Sequence, residues 1–142
     1  MPRPKTNARR LAVQAMYQWS FNQTKAQDLR AQFQEYSLWN KSDTIWFYDL
    51  ISGTIDQVQN LDQKIVKVID RRLEQLDPVE HSILRLGLFE LLFHPEVPFK
   101  VVLNEYINVA KQFGSEKSHA FINASLDKLT KTAREAELLK SD

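Results

Sequence analysis

VPFKVVLNEYINVAKQFGSEKSHAFINASLD, residues 97–127, reads as two helix-length segments joined by a single glycine. Pro98 opens the first, Gly114 sits in the break and Ser115 caps the second, so helices are expected at 99–113 and 116–130, folded back on each other. Ile122, Leu126 and Leu129 form the core stripe of the last helix, which leaves Lys117, Phe121 and Ser125 on an adjoining face. Phe121 is either a buried flank of that core or, beside Lys117, a surface on which a base could stack.

Immediately upstream, Asp77, Pro78 and Glu80 supply a cap, a first-turn proline and a capping-box acid in the order a helix start requires. The helix they open, 79–93, is apolar around most of its circumference, which marks it as the central helix of a bundle. Arg85 and Glu90 are its interior charges, expected to point to rims or partners. At the other end, a cap at Thr6 or Asn7 starts a helix running to about residue 22, with Leu11, Ala12, Ala15, Met16 and Trp19 on one arc. At 100° per residue, Arg9, Arg10, Val13, Gln14 and Tyr17 fall on a second face. Cations there could meet phosphates while the Tyr17 ring either stacks a base or packs in the core. A second helix is expected over 26–39, and a long third one from a Ser42 or Asp43 cap toward residue 72, with a possible break near Gly53. No segment alternates with period two, so the fold class is all-α: one domain over 1–142, with six to seven helices, a flexible basic arm at 1–5 and a charged tail at 131–142.

Composition narrows the function. With 142 residues, 43% hydrophobic and 26% charged, the chain can bury a core and is not a disordered one. No apolar run reaches the roughly 20 residues of a membrane span and no signal peptide opens the chain, so a cytoplasmic location without membrane contact is expected. The absence of cysteine excludes disulfides, thiolate nucleophiles and cysteine metal sites, and three glycines leave little for a phosphate-cradling loop. Glu116 and His119 make one ExxH unit, but a carboxylate bundle site needs two, and no nucleophile elbow is present. No enzyme, metal, cofactor or small-molecule substrate is expected. Charge is uneven: residues 1–27 hold Arg3, Lys5, Arg9, Arg10 and Lys25 without an acid, while the remainder carries 14 bases against 18 acids. A basic start on a near-neutral body suits either a polyanionic partner or a solvated terminus.

The runs ARRLAVQAMYQW at 8–19, HSILRLGLFEL at 81–91 and the block at 97–127 resemble those of the NusB family, with order and spacing matching from about residue 3 to 129. The resemblance implies two packed helical sub-bundles and a transcription antitermination factor that binds the boxA element of ribosomal RNA transcripts. Its implied partners are NusE, a small-subunit ribosomal protein, and through the antitermination complex RNA polymerase, which it helps to read through terminators. It implies RNA contacts from Arg3, Lys5, Arg9, Arg10, Tyr17 and Phe121, and places Glu80 on the side facing the protein partner; Gln14, Lys117 and His119 complete the set of candidate RNA-binding residues. Two departures stand out: PRPKTN holds fewer cations than the family's arginine cluster, and Ala124 replaces the family's glycine after Asn123. One rival is a protein-interaction module, since residues 43–96 hold 10 acids against 5 bases and could dock a basic partner. Another is the RNA-targeting domain of an rRNA cytosine methyltransferase, disfavoured because the chain ends before any catalytic domain.

Overall fold

The computed structural model describes residues 3–135; Met1, Pro2 and residues 136–142 lie outside them. The described residues form helices α1 (Pro4–Asn22), α2 (Ala26–Phe33), α3 (Thr44–Asp56), α4 (Val58–Ile65), α5 (Pro78–Phe93), α6 (Phe99–Phe113) and α7 (Glu116–Ala133), with 3-10 turns at Ser37–Lys41 and Leu73–Gln75 and no strand. The all-α class is as expected.

The chain organises around α5. Its cap works as the sequence indicates: Asp77 accepts from Val79 N at 2.8 Å and Glu80 reaches back to Asp77 N at 3.4 Å. Ten consecutive residues, Ser82 to Leu91, are buried, because helices pack on it from several sides: α1, α3, α4, α6 and α7. One group, α1 to α3, lies against a second, α4 to α7, chiefly through α1 on α5, and a single hydrophobic core runs through both. Two glycines permit close approach. A Cβ on Gly53 would stand 2.1 Å from Cζ of Phe89, and one on Gly87 would stand 2.9 Å from Cδ2 of Leu126.

Four boundaries differ from expectation. Helix α1 begins at Pro4, so Pro4 and Lys5 form its first turn rather than a flexible arm; proline's fixed φ suits that position, and Asp43 N bonds Pro4 O at 3.0 Å. The second helix stops at Phe33 because Tyr36 folds back to stack on Phe33 at 4.4 Å and the 3-10 turn then tucks Leu38 and Trp39 against the core. The long third helix breaks at Gln57, not Gly53, and ends at Ile65. Gly53 is needed inside the helix, where Phe89 takes the space of a side chain. Finally, α7 extends through Ala133, and Arg134 donates from Nε to Leu91 O at 2.6 Å, so the start of the charged tail is anchored.

Candidate nucleic-acid interface

Helix α1, the 3-10 turn and α6 enclose an open groove of about 840 Å³. Arg3 and Arg10 line it from α1, Lys41 from the turn, and Lys111 with Asn108 and Gln112 from α6. Its shape is held by Asn7, whose Nδ2 donates to Lys41 O at 2.9 Å and so ties the turn to α1. Glu105 is the acid in the lining, and it is engaged: Oε1 accepts from Arg9 Nη1 at 2.7 Å and from Thr6 Oγ1 at 2.5 Å. Four cations facing a groove whose acid is engaged by Arg9 and Thr6 make a favourable place for a phosphodiester chain.

Arg9 is not among those cations, which corrects the expectation that it shares an open face with Arg10. It is 3% exposed. Its Nε and Nη2 bond the two oxygens of Glu90 at 2.7 and 3.0 Å, and Tyr106 OH donates to Glu90 Oε1 at 2.7 Å. Burial alone would favour the neutral guanidine, but hydrogen bonding to Glu90 and the field of that carboxylate outweigh it, and the pKa of Arg9 is raised further. Burial, with the Glu90 charge beside it, pushes the Tyr106 phenol well above its ordinary range. The arc expected to be open is closed here because α1 lies against α3 on one side and α5 and α6 on the other, which also buries Val13. An interior acid such as Glu90 on a largely apolar helix is the sequence signal that a buried cation must meet it.

The other interior charge of α5 behaves likewise. Arg85 donates to Asp62 of α4 through Nε at 2.9 Å and Nη2 at 2.7 Å, and His81 Nε2 lies 2.8 Å from the same carboxylate. Burial works to raise the Asp62 pKa, but the bonds from His81 and Arg85 prevail and lower it to about 2. Arg85 and Glu90 therefore face partners inside the fold, not rims.

Farther along α1 the surface turns aromatic. Tyr17 is 42% exposed and meets Phe21 edge-on at 5.0 Å. With Gln14, Tyr36, Val79 and Phe113 they line a cleft of about 530 Å³. Glu80 sits beside it, in a smaller cavity shared with Val79 and Phe113, and its Oε2 accepts from Ser118 Oγ at 2.8 Å, joining the starts of α5 and α7. On α7, Lys117 is exposed, His119 and Phe121 are half-buried, and the guanidinium of Arg71 lies 4.1 Å over the Phe121 ring. Lys5 is exposed and stands 4.9 Å over the ring of Trp46. Ala124 is exposed, so its methyl narrows no helix contact.

Of the residues read from the sequence, the fold thus brings Arg3 and Arg10 into the groove, Gln14 and Tyr17 into the aromatic cleft, and Lys117 and Phe121 onto a third patch. Lys41, Lys111, Asn108, Tyr36, Phe113 and Arg71 were missed. The polar stripe of α6, Asn104, Asn108, Lys111 and Gln112, is legible at helical spacing, but which helix it faces is not.

Comparison with known proteins agrees with this geometry. The NusB family profile matches residues 6–131. The transcription antitermination protein NusB of Alcanivorax borkumensis is 43% identical over 136 residues, covering 96% of this chain and 91% of that protein. The protein of the same name from Shewanella frigidimarina is 42% identical over 130 residues, covering 92% and 97%. Among solved structures, T. maritima NusB superposes with a TM-score of 0.79 at 28% identity, covering 92% of this chain and 93% of that one. A chain from the crystal structure of antitermination factors NusB and NusE in complex with dsRNA superposes with a TM-score of 0.83 at 25% identity, covering 93% and 99%. With profile, relatives and helical architecture in agreement over nearly its whole length, the chain belongs to the NusB family.

Proposed function

We propose that this protein is a non-enzymatic transcription antitermination factor that binds the boxA element of ribosomal RNA transcripts together with NusE and promotes read-through by RNA polymerase, acting in the cytoplasm where transcription occurs. The observation that carries this reading is the groove in which Arg3, Arg10, Lys41 and Lys111 converge and whose acid, Glu105, is bonded to Arg9. Phosphates run along the groove, and unpaired bases meet Tyr17 and Phe121. The surface around Glu80, with Val79 and Phe113, faces the protein partner. This chain's cationic arm, thinner than the family's, is offset by Lys41 and Lys111, which come from other elements.

The rival docking module loses support once the acids are placed. Of the acid-rich stretch, Asp43, Asp62, Asp77, Glu80 and Glu90 are engaged in caps or internal bonds, so they do not present a free acidic face. The test is titration of the protein, with and without the ribosomal-protein partner, against a boxA-like oligonucleotide and a scrambled one. The expected result is preference for the boxA-like RNA, strengthened by the partner. Equal binding to both oligonucleotides would reduce the groove to a nonspecific polyanion site.

A further inference from the structure

Phe121 does not stand alone on its patch. Arg71, fifty residues away in sequence and lying in the irregular segment between α4 and the 3-10 turn at Leu73–Gln75, places its guanidinium carbon 4.1 Å over the Phe121 ring. The backbone that delivers it is held immediately afterwards, where Arg72 N bonds Gln75 Oε1 at 2.9 Å and Gln75 N bonds Arg72 O at 3.0 Å. Asp70 takes the inner donor, Nε, at 3.0 Å. Among the described residues neither Nη group has a hydrogen-bond partner, and the Arg71 side chain is 37% exposed. An exposed ion pair such as Asp70 with Arg71 contributes little to stability. Its effect is orientational: it fixes one edge of a planar cation that already lies over an aromatic ring.

We infer that Arg71 is an RNA-recognition residue, forming with Phe121 a two-layer platform on which an unpaired base stacks against the outer face of the guanidinium. The Nη edge then donates to the adjacent phosphate. The chemistry is specific to arginine, because a planar guanidinium can stack and donate at once, whereas a lysine ammonium supplies the charge without the plane. Lys117, one helical turn before Phe121 and exposed, adds phosphate attraction without competing for the ring. The inference rests on the RNA-binding reading above and assigns the second contact to a pair of residues from distant segments.

The experiment compares the full-length protein with Arg71→Lys and Arg71→Ala in binding a boxA-like and a scrambled RNA, across a salt series, after thermal melts establish that all three fold alike. Base stacking of ordinary strength predicts that Arg71→Lys loses roughly tenfold in affinity for the boxA-like RNA. Binding of the scrambled RNA and the salt slope should stay as in the parent. Unchanged boxA affinity in Arg71→Lys, or equal losses on both RNAs in Arg71→Ala with a shallower salt slope, would reduce Arg71 to a diffuse charge and overturn the inference while leaving the RNA reading intact. A parent protein that does not discriminate the two RNAs overturns both together.

Discussion

Arg9 and Arg10 are neighbours in sequence and opposites in the fold. Arg9 is a buried cation shared by Glu90 and Glu105, and Arg10 lines the open groove. Replacing Arg9 by alanine leaves the fully buried Glu90 carboxylate without its cation, which costs about 3–5 kcal/mol. Urea denaturation should show this as a large fall in midpoint. Arg10→Ala should stay within about 0.5 kcal/mol of the parent stability yet weaken boxA-like and scrambled RNA by similar factors, since a phosphate contact carries no base information. If the two variants behaved alike in the denaturation experiment, the placement of Arg9 inside the fold would be wrong. No spacing rule separates them, because both lie on the polar side of a helix whose neighbours are unknown at that stage.

At the scale of elements, the legible ones were those with punctuation at their starts. Helices α5, α6 and α7 carry Asp77, Pro98 with Gly114, and Ser115 at their boundaries, and each lies where those residues put it. Asp77→Ala removes the side chain that accepts from Val79 N and should cost about 1 kcal/mol, read by thermal or chemical denaturation. Residues 26–72 were harder, because their breaks come from packing. Tyr36 stacks on Phe33 and ends α2, while Gly53, a residue that reads as a helix breaker, stays helical to make room for Phe89. Gly53→Ala is the discriminating substitution. Alanine gains about 1 kcal/mol of helix propensity, but displacing a ring that is itself stacked on Phe93 at 5.1 Å costs about 1–3 kcal/mol. A net loss near 1 kcal/mol is expected, and a stabilised variant would mean that Phe89 moves aside freely.

For the molecule as a whole, two dependences on solution conditions follow. Asp62 bridges α4 to α5, and its pKa falls from 3.8 in a free carboxyl to about 2 in the fold. The unfolded chain therefore binds a proton that the native protein refuses, and stability rises with pH through that window. The contribution, on the order of 2 kcal/mol, is present above about pH 4 and lost as pH falls toward 2. Asp62→Asn should flatten this acid limb when denaturation midpoints are compared between pH 5 and pH 2. The groove supplies the second dependence. Four cations meeting single-stranded phosphates make log affinity fall with log salt at a slope of about −3, and Lys111→Ala should make it shallower by about 0.7.

The sequence by itself determined the all-α class, the central helix and the starts of the last three helices, because each depends on local periodicity and on residues that cap or open a helix locally. It also singled out Arg3, Arg10, Tyr17 and Phe121 as candidate contacts. The tertiary structure alone decided which cations stay exposed, that Lys41 and Lys111 join Arg3 and Arg10 across a groove, and that Arg71 lies over Phe121. Those juxtapositions join segments tens of residues apart, and only the packing of α1 against α5 and α6, and of the α4–α5 connection against α7, brings them within reach of one another.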